Sequence, residues 1–163
     1  MKTIVLVRHA KSDWNADYGE DHDRPLAPRG IRAAKRLGKL LAATGGVPDL
    51  ILSSTAVRAR TTIELARDAG EWDVQIRLHR ELYGAGPGTI LNLAGGLPDA
   101  VDTVMFAGHE PGWSQAVSAF IGGGDIRMPT ACMARIEFAA EQWDRVRVGH
   151  GLLTALMPPK ALD

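Results

Sequence analysis

The feature that most constrains this chain is an apolar run that stops at two ionisable side chains. Residues 3–7, Thr-Ile-Val-Leu-Val, read as a buried strand, and Arg8 and His9 follow at once. The same pattern recurs: "DLILSS" (49–54) and "DTVMFAGH" (102–109) have strand length, and a helical pattern follows each. In "GIRAAKRLGKLLA", Ile31, Ala34, Leu37 and Leu41 fall at helical spacing, with Arg32, Lys35, Arg36 and Lys39 on the other side. "AVRARTTIELARDA" (56–69) reads as a second helix, "VQIRLH" (74–79) as a weaker strand and "TILNLAG" (89–95) as a short helix. "PGWSQAVSAFI" (111–121) is a helix with Pro111 at a tolerated early position. "CMARIEF" (132–138), "DRVRVG" (144–149) and "LLTALMP" (152–158) read as strands of a meander. This alternation predicts an α/β chain: a three-layer α/β/α sandwich with a mainly parallel central sheet finished by antiparallel C-terminal strands. At 163 residues, 1–163 form a single domain, and the glycine-rich stretches read as turns rather than as a linker.

Lys plus Arg equals Asp plus Glu at 19 each, so no basic excess points to nucleic acid, and any positive patch must be local. The single cysteine, Cys132, cannot form an internal disulfide and fits a reducing compartment. The apolar stretch near the N-terminus is too short for a signal sequence or a membrane span, so a soluble, cytoplasmic protein without membrane contact is expected.

Ligands of open α/β sheets collect beyond the carboxyl ends of the strands. Arg8 and His9 follow the first strand there, Arg58 lies near the first turn of the helix after the second, and His109 ends "DTVMFAGH". Helix N-termini beside them form a ready anion site. Arginine forks match phosphate oxygens, and their charge stabilises a transferring phosphoryl group. A neutral imidazole is a competent nucleophile for it, and adjacent cations keep it neutral near pH 7. The set therefore points to phosphoryl transfer.

"RHAKSDWN", "RPLAPRG", "LSSTAVRARTT", "REL" and "GHEPG" together resemble the histidine phosphatase (phosphoglycerate-mutase-like) superfamily, over most of the chain. The short length and "RHAKSDW … DHDRPLAPRG" look most like its SixA branch, which includes protein phosphohistidine phosphatases. The resemblance implies that His9 is the nucleophile and that Arg8, Arg58 and His109 complete a phosphate pocket. It places Asn15 and Ser12 as substrate-binding residues, and Glu81 as the acid that protonates the leaving group. Ala10 stands where the family usually has glycine, and "ELYG" is one residue shorter than in many mutase-like members. The expected substrate is phosphohistidine on a protein, or alternatively a small phosphate ester such as a sugar phosphate or nucleotide. A non-catalytic phosphate-binding module is the third reading.

Plainer readings stand beside these. Arg8 and His9 alone would fit a strand-end ion pair, and Glu81 equally fits a salt bridge to a pocket arginine. Trp14 either rims the substrate entrance or packs on its own loop. The motif favours Arg58 over Arg60. His22, His79 and His150 lack metal-ligand spacing, the acidic "YGEDHDR" lacks that of an EF-hand, and six residues after Cys132 stands Phe138 where a Cys-x5-Arg motif needs arginine. Catalysis without a metal or other cofactor is expected.

Overall fold

The first apolar run becomes β1 (Lys2–Arg8) in the computed structural model, which describes residues 1–162. Successive side chains of a strand point to opposite faces. Ile4 and Leu6 accordingly enter one core and Val5 and Val7 another. A strand covered on both faces has no reason to alternate with polar residues, which explains the unbroken run.

The remaining strands are β2 (Leu50–Ser53), β3 (Ile76–Leu78), β4 (Thr103–Gly108), β5 (Met133–Phe138) and β6 (Gly151–Met157). They form one sheet in the order β3-β2-β4-β1-β5-β6. β1 to β4 are parallel, β5 runs antiparallel to β1, and β6 antiparallel to β5. Helices α1 (Pro28–Thr44) and α2 (Val57–Ala69) cover one face, with Leu37, Leu41, Ile63 and Ala66 packed on Val5, Val7, Ile51 and Met105. Helices α3 (Pro87–Gly95) and α4 (Gly112–Ile121) cover the other, where Ile90, Trp113 and Phe120 meet Ile4, Leu6 and Phe106. The three-layer sandwich and its antiparallel finish match the sequence expectation.

One expected strand is absent. Residues 144–149 pair with no strand; a single 3₁₀ turn, Trp143–Arg145, occupies the start of that stretch. Trp143 is buried and its indole N–H donates to the Val101 carbonyl at 2.7 Å, while Val146 sinks into the core. The alternating valines and arginines therefore mark one anchored turn rather than a ladder.

Two glycines set how closely the layers meet. A Cβ on Gly38 would lie 1.9 Å from the Ala66 carbonyl oxygen, so this position lets α1 and α2 touch backbone to backbone. A Cβ on Gly30 would lie 2.2 Å from the Lys11 carbonyl oxygen. The start of α1 thus rests directly on the loop that leaves β1.

Candidate active site

Register brings the two histidines together. Arg8 of β1 pairs with Gly108 of β4, so the next residue of each parallel strand, His9 and His109, emerges at the same edge. The His9 N–H donates to the Gly108 carbonyl at 2.9 Å, and the two imidazole centroids are 5.3 Å apart. β2 ends one strand further along, where the Ser54 N–H donates to Ala107 at 2.9 Å and the Ser54 hydroxyl meets His109 Nε2 at 2.9 Å. The first turn of α2 then delivers Arg58.

His9 is 7 % exposed, and its Nδ1 lies 2.8 Å from the Ala10 carbonyl oxygen. A carbonyl only accepts, so this contact assigns the ring proton to Nδ1 and leaves the lone pair on Nε2. Burial lowers the His9 pKa to about 4; the Ala10 carbonyl opposes this, while Arg58, Arg8 and Arg24 reinforce it. His109 is lowered to about 3, by burial first and then by His9 and Arg58. Both rings are neutral at pH 7, as a nucleophile must be.

The arginines bring donors. Arg8 gives one N–H to the Met128 carbonyl at 3.0 Å, and its buried Nε has no partner. Arg58 gives two to Asp21, one to the carbonyl at 2.6 Å and one to the carboxylate at 2.9 Å, and its buried Nε is likewise unpartnered. A guanidinium carries five N–H groups, so both keep donors in reserve. Buried His109 Nδ1 is also unpartnered. Arg60, by contrast, is exposed and pairs with Glu64 at 2.8 Å, so Arg58 is the arginine that the fold brings to the histidines.

Of the other expected residues, Ser12 is buried but accepts a hydrogen bond from Arg24 Nε at 3.0 Å, so its hydroxyl holds an arginine. Asn15 is exposed, and its backbone N–H donates to the Asp13 carboxylate at 2.9 Å. Glu81 is exposed and pairs with His79 at 3.1 Å. Among the described residues it makes no hydrogen bond or ion pair with a pocket arginine or histidine. Ala10 is fully buried against Leu26, Ala33, Ala34 and Ala131, and it is not one of the non-glycine residues with positive φ, which are Glu71 and Ala131. The alanine is accommodated without strain.

Several residues of the site escape sequence reasoning. Asp21 receives Arg58, Arg24 and the Tyr83 hydroxyl, the last at 2.6 Å. These bonds, Tyr83 foremost, hold its carboxyl far below the usual carboxylate range. Arg24 is 4 % exposed and stacks 3.6 Å from the centre of the exposed Trp14 ring. Tyr83 sets its edge against His109 and His22 at centroid distances of 5.3 and 4.8 Å. The Thr62 hydroxyl accepts the Ala10 N–H at 2.9 Å and donates to the Arg58 carbonyl at 2.6 Å. Most of these residues lay within or beside the quoted motifs, but their partners join over long sequence separations, 37 residues for Asp21 and Arg58, 62 for Asp21 and Tyr83 and 52 for Ala10 and Thr62. Cys132 is buried, and burial pushes its thiol up to about 11, which makes it a poor nucleophile.

Among the described residues no group of three or more His, Cys, Asp or Glu is arranged to hold a metal ion, and no helix is long and apolar enough to cross a membrane. What the edge does offer is a neutral imidazole with its lone pair free, beside two buried arginines, the half-buried Arg8 and a second imidazole. Such an arrangement has the charge and the free lone pair that binding an anion of several oxygens and attacking its central atom require.

Comparison with known proteins agrees. Residues 4–89 match the profile of the histidine phosphatase superfamily (branch 1). An uncharacterised protein of Mycobacterium tuberculosis is 38% identical over 164 residues, covering 94% of this chain and 100% of that one. A 2,3-bisphosphoglycerate-dependent phosphoglycerate mutase of Nocardia farcinica is 36% identical over 93 residues, 50% of this chain and 38% of the mutase. The crystal structure of the proposed phosphohistidine phosphatase SixA of Agrobacterium tumefaciens superposes with a TM-score of 0.82 at 30% identity, over 97% of this chain and 98% of that one.

Proposed function

The chain belongs to the histidine phosphatase superfamily (branch 1), and from that premise we propose that it is a phosphatase that hydrolyses phosphohistidine carried on a protein. His9 Nε2 attacks phosphorus in line with the scissile P–N bond of the substrate. That bond breaks, the leaving imidazole takes a proton from water, and the phosphoryl group rests on His9. Water then attacks phosphorus, the P–N bond to His9 breaks, and orthophosphate leaves. Arg8, Arg58 and a neutral His109 N–H stabilise the equatorial oxygens, and Arg24 adds positive charge. These cations supply the charge stabilisation in place of a metal, and the protein works in the cytoplasm.

The observation that carries the substrate class is the lack of a proton donor. Among the described residues, the carboxyls that act on the pocket are Asp21 and Glu110. Asp21 is ionised, clamped by two arginines and a tyrosine. Glu110 accepts the Ser114 N–H at 2.8 Å and hydroxyl at 2.5 Å, which ties it to α4. Glu81 sits apart with His79. An alkyl phosphate would leave as an unstabilised alkoxide, whereas a phosphorylated imidazole leaves easily without acid help. The likeness to SixA supports the same substrate.

The test is to trap the intermediate with a histidine-phosphorylated protein and with p-nitrophenyl phosphate, in wild type and His9→Ala. The expected result is an acid-labile, alkali-stable phosphoenzyme that requires His9 and forms faster from phosphohistidine. Turnover confined to small esters would overturn the substrate class. Undiminished turnover by His9→Ala would overturn the nucleophile.

A further inference from the structure

A second positive feature lies on the same edge of the sheet as His9. A groove of about 410 Å³ is lined by Lys11, Arg29, Arg36 and Lys160 around a wall of Pro129, Pro158 and Pro159. Among the described residues it has no carboxylate in its lining, in a chain whose charges otherwise balance at 19 against 19. Register fixes its place. Val7 pairs with Met133 and Met133 with Met157, so the segments entering β5 and leaving β6 flank the end of β1. The Ala131 N–H donates to the His9 carbonyl at 3.0 Å, and the Cys132 N–H to Pro129 at 3.0 Å, which ties one wall to the nucleophile loop. Gly30 seats α1 on the Lys11 backbone and ties the other. The side chains of Lys11, Arg29 and Lys160 make no hydrogen bond or ion pair among the described residues, and the positive end of α1 adds to their field.

We propose that this groove docks an acidic segment of the protein that carries the phosphohistidine; the inference rests on the substrate class proposed above. Cations spread along an apolar, proline-walled trough suit a run of carboxylates on an extended chain better than one compact anion. A carrier whose phosphohistidine reaches His9 lies across this edge, which brings its flanking residues over the groove. Charges at such a rim act on encounter and on salt dependence more than on the chemical step. The groove would thus favour protein carriers over free small phosphates.

The variant Arg29→Glu/Lys160→Glu reverses two groove charges without touching the catalytic groups. Glutamate in the first turn of α1 also suits the helix dipole, so the fold should survive. For a histidine-phosphorylated acidic carrier protein, kcat/KM should fall by about tenfold at low salt, mainly through KM, and the loss should shrink as salt rises. Hydrolysis of p-nitrophenyl phosphate should be unchanged. Titration with hexaglutamate should shift the backbone resonances of Arg29, Ala33 and Lys160 in wild type but not in the variant. Equal kcat/KM values on the carrier, or no response to hexaglutamate, would overturn docking. Perturbation of these resonances by a single-stranded DNA oligomer but not by hexaglutamate would also overturn it, in favour of nucleic acid. A wild type that cleaves only small esters would refute the substrate class, and the hexaglutamate titration then decides the groove on its own.

Discussion

Acid should loosen this fold through its two pocket histidines. In the unfolded chain each titrates near the ordinary value of about 6.5, whereas in the native pocket His9 is held to about 4 and His109 to about 3. Between those values the unfolded chain binds protons that the native one refuses, so stability falls as pH drops through that window and is flat above it. For His9 the gap from 6.5 to 4 corresponds, at ~1.4 kcal/mol per pH unit, to about 3 kcal/mol in full. By pH 5 roughly 2 kcal/mol of it is gone. His109 contributes a similar amount, so the pair costs about 3–4 kcal/mol between pH 7 and 5, against a typical total of ~5–15 kcal/mol. Urea unfolding at pH 7, 6 and 5 measures this, with His9→Gln/His109→Gln as the reference because it keeps every carboxylate. Wild type should lose about 3–4 kcal/mol more than the double variant over that range. Parallel pH profiles for the two proteins would refute the claim that the fold keeps these rings neutral.

Three further outcomes are expected. Asp21→Ala should lower kcat/KM by roughly tenfold to a hundredfold, because Arg58, Arg24 and Tyr83 lose their common anchor; steady-state kinetics should show Asp21→Asn, which keeps an acceptor for them, less affected. Glu81→Ala should stay within about twofold of wild type on both phosphohistidine and p-nitrophenyl phosphate; a loss of ~100-fold or more confined to the ester would restore Glu81 as the general acid. Gly38→Ala should destabilise by about 1–3 kcal/mol or more, read as a lower urea midpoint at unchanged slope, since its Cβ would collide with the Ala66 carbonyl.

How much was legible in the chain follows from how far each interaction reaches. The strand at 3–7 is an unbroken apolar run because both its faces are covered, and its stop at Arg8-His9 marks the edge where chemistry collects. Arg58 and His109 were readable for the same reason, each lying just past a strand. The stretch 144–149 misled because alternating residues describe a ladder only when a neighbouring strand is free to pair, and here β6 takes the place beside β5. Asp21 stood in the sequence as one member of the acidic run "YGEDHDR", which lacks EF-hand spacing. Nothing local separates it from Asp23, and its partners Arg58 and Tyr83 lie 37 and 62 residues away. Glu81 shows the converse: a short motif placed it near the chemistry, while the 3₁₀ turn Arg80–Leu82 presents it to solvent beside His79.

The Thr62 hydroxyl, which joins the Ala10 N–H to the Arg58 carbonyl, bears on how such a scaffold diversifies. Through it the loop that carries His9 and the helix that carries Arg58 are joined into one casting, sealed on its other side by Gly30 against Lys11. A lineage acquiring a new substrate cannot retune the spacing between His9 and Arg58 by shifting either piece without breaking a buried bond. Innovation is thereby channelled into the segments around Trp14 and Tyr83, whose exposed rings lie outside that casting. Loop exchange there would change what the enzyme accepts, provided that the Tyr83 bond to Asp21 is kept.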